Sequence, residues 1–360
     1  MRRMTATWAA VLLAAALGAT WAGAAEPPAA PDAVRITLLH INDAHGRLES
    51  YSVNGRSVGG YARLATLVAD ARAEPGVARV FLLDAGDVVA AGQPLTARTG
   101  GRANIAVMNH LGFDAWIPGN HEFYMGVESV EALVRAARFP TLAANLAVKA
   151  TGEPLGRPFV IEKAGPVRIA FFGLGIVSPD HPSAEAVAVA DPLVTAADLV
   201  PRLRAEADVV VALSHRGVVD DHSLAVSVPG IDVIVGGHTH TVLPEGARFK
   251  GPEGGEVLIV QTGQRLEALG RVDLVCTRAD GRWRVVRAAA RLIPIDSDVK
   301  VDRAVVGLIA RLAEEAGLAP AKRKAAPEPA AREPAPEPAA REPAPEPATS
   351  GAPRGTADPP

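Results

Sequence analysis

The chain has 360 residues and a formal net charge of -3, from 37 Lys plus Arg against 40 Asp plus Glu, so it lacks the basic excess of a nucleic-acid-binding surface. Hydrophobic residues at 48% and charged residues at 21% supply a sizeable core and exclude global disorder. The single cysteine, Cys276, excludes an internal disulfide framework and a thiolate-held metal site, and aromatics at 4% leave few base-stacking platforms.

Residues 1–24 have the three-part pattern of a secretory signal: Arg2 and Arg3, an uncharged apolar run, then small residues ending at Ala24. Cleavage there predicts a periplasmic or secreted protein with no stable membrane span. The uncharged stretch from Trp8 to Ala25 is 18 residues of mostly Ala and Gly, against about 20 strongly apolar ones for a span. An uncleaved anchor is therefore the secondary reading.

Short apolar runs then alternate with helical patterns. Residues 35–40, 79–84, 168–174, 208–215, 231–237 and 256–261 read as strands covered on both faces. Between them 60–74, 101–111, 127–138 and 191–207 read as amphipathic helices. A hairpin is predicted around Ala279, Asp280 and Gly281, and a last helix over 302–316. The alternation predicts an α/β domain over residues 34–318 with buried sheets. Residues 319–360 are expected to be a disordered Pro/Ala/Glu-rich tail, built on three copies of a nine-residue unit, whose proline density predicts an extended spacer. The tail is expected to be a passive tether, with a protein partner as the alternative.

Five strands run directly into polar residues beside glycine: Asn42–Gly46, Asp84–Asp87, Gly119–Glu122, Ser214–His215 and Gly236–His240. In α/β sheets the carboxyl ends of strands build the site. One histidine after one strand is more often a hydrogen-bonded turn than a ligand, but five such ends on one edge form a constellation. Oxygen and imidazole donors without thiolate suit manganese, iron, zinc or similar divalent ions. A carboxylate such as Asp87 can bridge two ions roughly 3.5–4 Å apart, a pair able to activate water and clamp a phosphoryl group.

The segments LLHINDAHG, LLDAGDV, NHLGFDAWIPGNHEF, LSHRG and PGIDVIVGGHTH, in that order, resemble the five blocks of the calcineurin-like metallophosphoesterase domain of the 5'-nucleotidase / 2',3'-cyclic-nucleotide 2'-phosphodiesterase family. The resemblance covers about residues 34–300, including QTGQRLEALGRVDL, and implies a four-layer αββα sandwich. It implies that Asp43, His45, Asp87 and His240 hold one ion, with Asp87 bridging to a second held also by Asn120, His215 and His238. It makes His121 the catalytic histidine that stabilises developing charge or protonates the leaving oxygen, and lets Asn120 touch the phosphoryl group. The implied reaction is attack of a metal-bound hydroxide on a nucleotide or related small phosphoester.

Two departures stand out. The family block usually continues Gly-Asn-His-Glu-Phe with an Asp that orients the histidine, where this chain has Tyr124; loss of that carboxylate predicts a slower or differently tuned enzyme, and Tyr124→Asp is expected to change turnover. The alternative is that Tyr124 only packs before the helix at Val127 while another carboxylate supports His121. The second departure is that family members carry a C-terminal substrate domain where this sequence has its Pro-rich tail, so nucleotide selectivity does not carry over.

The remaining polar candidates have modest expectations. His40 is a supporting or structural residue, His110 caps or packs, and His181 and His222 lie in surface loops. Asp84 satisfies a turn or supports Asp87; Glu122 supports the site or bonds backbone amides; Cys276 is a buried small residue. Two rival functions stand beside the phosphoester hydrolase: a thiosulfohydrolase-like enzyme on a carrier-bound substrate, and a non-catalytic metal- or phosphate-binding module.

Overall fold

The computed structural model describes residues 33–318 apart from residue 91; the expected signal at 1–24 and the tail at 319–360 lie outside the described residues. Val34–Ile41, Val77–Asp84 and Ala115–Trp116 run parallel, and the hairpin of Ala268–Ala279 with Arg282–Pro294 joins antiparallel to Val34–Ile41, giving a five-stranded sheet. A second sheet has six strands in the order Ala247–Lys250, Glu256–Val260, Val233–Val235, Val209–Ser214, Val167–Leu174 and Phe159–Ala164, the middle four parallel.

The unbroken apolar runs follow from burial on both faces. In Val34–Ile41, Ile36 and Leu38 turn toward Phe171, Val209, Val211 and Val235 of the other sheet. Leu39 and Ile41 turn the opposite way, into a layer with Tyr61, Leu64, Ile105, Met108, Val305 and Ile309 from helices Tyr61–Arg72, Arg102–Leu111 and Arg303–Glu315. On the far side Ala170, Phe172, Val210 and Ala212 meet Leu199, Val200, Leu203 and Leu224 of helices Pro192–Glu206 and Val218–Ser227. The result is the expected αββα sandwich. Each fully buried Leu, Ile, Val or Phe contributes about 1.5–3 kcal/mol of transfer free energy to these layers.

Helix starts carry local signals. Asp191 accepts from Val194 N at 2.9 Å ahead of Pro192, and Asp302 Oδ1 accepts from Ala304 N at 2.8 Å and Val305 N at 3.0 Å, side-chain caps that each contribute about 1 kcal/mol. Cys276 is fully buried between the sheets, as expected.

Several elements lay outside the sequence reading. Residue 222 lies in helix Val218–Ser227 rather than a loop, and Pro94–Thr99 forms a further short helix. Phe159–Ala164 is an edge strand whose Glu162 and Lys163 obscure its pattern. Tyr51–Val53 and Arg56–Val58 make a small hairpin. Among the described residues no helix is long and apolar enough to cross a membrane.

Candidate metal centre

The predicted strand ends converge from both sheets. Asp43, His45, Asp87, Asn120 and His121 follow strands of the first sheet; His215, His238 and His240 follow strands of the second. Among the described residues nine non-glycine residues have positive φ, and five of them are Asp43 (52°), His45 (48°), Asp87 (57°), His238 (76°) and His240 (53°). Backbone in this region costs of order 1–3 kcal/mol per residue and persists where surrounding structure enforces it. Here the enforcement is a ladder between loops: Asp43 N donates to Gly86 O at 2.8 Å, His45 N to Asp87 O at 2.8 Å, and Arg265 N to Asp43 O at 2.7 Å.

Their donor atoms lie close together. His45 Nε2 and His240 Nε2 are 2.9 Å apart, and Asp43 Oδ1 is 3.3 Å from His240 Nε2 and 3.8 Å from His45 Nε2. His215 Nε2 lies 3.2 Å from Asp87 Oδ2 and 3.9 Å from Asp43 Oδ1. His238 Nδ1 is 2.9 Å from Asn120 Oδ1. Three ligand-like triads result: Asp43, His45 and His240; His45, Asp87 and His121; and Asp43, Asp87 and His215, each with donor atoms within 4.8 Å of one another. Six of the eight sequence-predicted residues share these triads, linked through Asp43, Asp87 and His45; Asn120 and His238 pair beside them, with His238 N donating to Asp43 Oδ2 at 3.0 Å and the His238 ring 5.3 Å from that of His215.

The donor set fits divalent ions. Two ligand atoms about 2.0–2.1 Å from one ion and at right angles stand about 3 Å apart, the spacing of the His45–His240 and Asn120–His238 pairs. His215 Nδ1 lies 2.6 Å from Ala85 O; with Nδ1–H donating there, the Nε2 lone pair faces Asp87 and Asp43. Nε2 is buried and has no hydrogen-bond partner, so acceptors confront one another and call for a cation between them. Burial opposes charge on His215, yet Asp87 and Asp43 raise its pKa to about 10, so without a metal ion these carboxylates draw a proton to Nε2, the position a metal ion would take in its place. Burial likewise opposes charge on Asp87, but His215 and His121 hold its carboxyl well below the usual range. His45 is lowered to about 4 chiefly by burial, and burial also lowers His238, which keeps these imidazoles neutral and able to ligate.

Supporting groups explain why these particular residues frame the site. Asn42 donates to Asp43 Oδ2 at 2.7 Å and accepts from Thr262 N at 2.9 Å, tying the first sheet's loop to the second sheet. Glu122 is buried and accepts from Asp87 N, Val89 N and Gly119 N at 3.1, 3.0 and 2.6 Å, so its role is to bond amides beneath the ligands. Asp84 accepts from Gly86 N at 2.8 Å, satisfying the turn before Asp87. A Cβ at Gly237 would stand 2.7 Å from Ala85 O and 2.8 Å from His215 Nδ1, so only glycine lets the second sheet close on the first. His40 is fully buried beneath Gly270, a structural position, and burial lowers its pKa to about 3.

His121 occupies the mouth, its side chain 31% exposed and its Nε2 3.9 Å from Asp87 Oδ2. Its ring is flanked by His45 at 4.6 Å and Tyr124 at 4.6 Å between centroids. No carboxylate other than Asp87 pairs with it among the described residues; ring packing stands where the expected orienting carboxylate is missing. Tyr124 also stacks on His181, at 4.7 Å and 30°. His181 is half-buried in this stack, a placement that its isolated position between prolines did not signal. His110 and His222 are exposed, and His110 does not pack.

Two layers of sheet enclosed by helices, with Asp, His and Asn donors at one end, define a metallophosphoesterase-type centre. The chain belongs to the calcineurin-like phosphoesterase family, whose pattern matches residues 36–242. It is 30% identical over 323 residues to a snake venom 5'-nucleotidase of Gloydius brevicauda, covering 80% of this chain and 53% of that one. It is 38% identical over 237 residues to the 5'-nucleotidase of Bos taurus, covering 59% and 39%. The 5'-nucleotidase precursor of Thermus thermophilus superposes with a TM-score of 0.69 at 28% identity, covering 78% of this chain and 59% of that one. The chain therefore spans about half the length of the curated relatives it matches.

Proposed function

We propose that this protein is a secreted, dinuclear metal-dependent phosphoester hydrolase acting on nucleotides or related small phosphoesters. The observation that carries the reading is the convergence of Asp43 and Asp87 with neutral imidazoles and Asn120 at the ends of strands from two sheets, with His215 Nε2 facing two carboxylates. Asp43, His45, Asp87 and His240 would hold one ion, and Asp87, Asn120, His215 and His238 the other. Manganese, zinc, iron or a similar ion suits this donor set. Two such ions supply Lewis-acid stabilisation of the phosphoryl oxygens and lower the pKa of a water.

The side chains do the rest. Asp87 Oδ1 is held by His121 N–H at 2.9 Å, which leaves Oδ2 for the site interior and suits a shared ligand. The part-exposed His121 imidazole at the mouth carries a proton to the departing alcohol oxygen, a step general acids accelerate by about 10²–10⁴. Family membership and the nucleotidase names of the relatives support nucleotides as the substrate class. The residue 1–24 pattern supports export to the periplasm or beyond, with 34–318 as the catalytic domain and 319–360 as a tether.

The test is hydrolysis by metal-reconstituted protein of nucleoside monophosphates, cyclic nucleotides and bis(p-nitrophenyl) phosphate. Turnover on a member of the panel names the ester class. Two bound ions with no turnover on any of them sink the proposal and favour a protein-bound substrate or a binding role.

A further inference from the structure

The two amide atoms of the buried Asn120 face different partners. Nδ2 donates to the Tyr124 hydroxyl at 3.0 Å, while Oδ1 lies 2.9 Å from His238 Nδ1. A carboxamide turned over would send Nδ2 inward instead, and an N–H group cannot ligate a cation. Once His238 Nδ1 serves as a ligand it has no proton to give Oδ1, and the polarity of the phenol then decides between the two. Its oxygen also lies 3.0 Å from Ser178 Oγ. A phenol that gives its single proton to Ser178 is left as an acceptor toward Asn120, and the amide then has one satisfied orientation: Nδ2 outward and Oδ1 inward.

The phenol is held in place independently of Asn120. Its ring lies between those of His121 and His181, with centroids 4.6 and 4.7 Å away. His181 is fixed in turn by Ser183 N, which donates to its Nδ1 at 3.2 Å, and the Ser183 hydroxyl bonds Phe123 O in the turn that carries Tyr124. Residues 178–183 thus brace Tyr124 from outside the site.

We propose that Tyr124 is a positioning residue which fixes the amide orientation of Asn120, with Ser178 setting the polarity of the phenol, so that Oδ1 is presented to one of the two metal positions. The inference rests on the dinuclear reading above. It gives the tyrosine a task different from that of the aspartate it resembles in position: it orients the asparagine through its hydroxyl and braces His121 through its ring.

The experiment is calorimetric titration of chelator-stripped, full-length protein with Mn²⁺ and, separately, Zn²⁺. Wild type is expected to bind two ions. Tyr124→Phe keeps the ring and removes the hydroxyl, and is expected to bind one ion about 10–100-fold more weakly with the other unchanged, the usual cost of losing a group that orients a ligand. Ser178→Ala is expected to weaken the same ion; no effect overturns the part assigned to Ser178. Tyr124→Phe with wild-type affinity for both ions overturns the inference, as does equal weakening of both, which marks a general structural loss. Wild type that binds fewer than two ions of either kind removes the dinuclear reading and this inference with it.

Discussion

Gly119 and Asp87 are packed so closely that a Cβ on the glycine would overlap Oδ1 of the aspartate, while standing 2.7 Å from Asp87 N and from His215 Nε2. Backbone and two ligand-like side chains meet there with no room for a methyl group. Gly119→Ala is therefore expected to displace Asp87 or His215, cost about 1–3 kcal/mol of stability as an overpacked site, and weaken metal binding at least tenfold. Calorimetric titration beside thermal unfolding checks both; an alanine variant with unchanged metal affinity would mean that the loop yields without moving the ligands.

His121 belongs to the triad with His45 and Asp87 as well as to the mouth of the site. The account assigns it proton transfer, so His121→Ala is expected to lower kcat by about 10²–10⁴ while the chain still binds two ions. Elemental analysis of the purified variant separates the roles: a lost ion would make His121 a ligand.

Asp221 is fully buried, with Oδ1 accepting from Ser214 Oγ at 2.5 Å and Oδ2 without a partner. Burial raises its pKa from 3.8 to about 7, against the hydrogen bond from Ser214. An acid raised on folding keeps its proton in the folded chain, so its contribution to stability is full below about 3.8 and declines as pH rises toward about 7. In metal-free protein Asp221→Asn is expected to gain stability relative to wild type across that window, on the order of 1–4 kcal/mol. Denaturant unfolding from pH 4 to 8 measures the difference; parallel curves would contradict it.

The face-to-face packing of the sheets has its own test. Phe81 of the first sheet and Phe171 of the second meet at 5.0 Å and 60° between the layers. Phe171→Ala is expected to cost about 3–5 kcal/mol, read as a lower denaturation midpoint. Loss of less than 1 kcal/mol would show that the inter-sheet core collapses readily around the gap.

Much of the site was legible because each donor follows an apolar run that had to be a strand, and strand ends in α/β sheets gather. That rule marked the segments that hold Asp43, His45, Asp87, Asn120, His121, His215, His238 and His240, and the resemblance to the metallophosphoesterase family implied which of them are ligands. What the chain order could not convey is that these ends come from two sheets, joined by contacts such as Asn42 to Thr262 across 220 residues. Tyr124 was recognisable as out of place, but its partner Ser178 is 54 residues away in a loop with no periodic signal. Glu122 was expected to support the site or to bond backbone amides, and only the structure shows that the amides are those of Asp87, Val89 and Gly119, because backbone groups have no residue signature. Helix Val218–Ser227 escaped because its solvent-facing Val219 and Val226 and its buried Asp221 blur the apolar stripe.

The most direct test of the central claim is to count metal ions per chain and measure ester hydrolysis on the same preparations: wild type as reconstituted, wild type after chelation, and Asp87→Asn. The account predicts two ions and turnover in the first, no turnover in the second, and fewer than two ions with turnover lost in the third. Undiminished hydrolysis after chelation, or Asp87→Asn that keeps both ions and full activity, would contradict it.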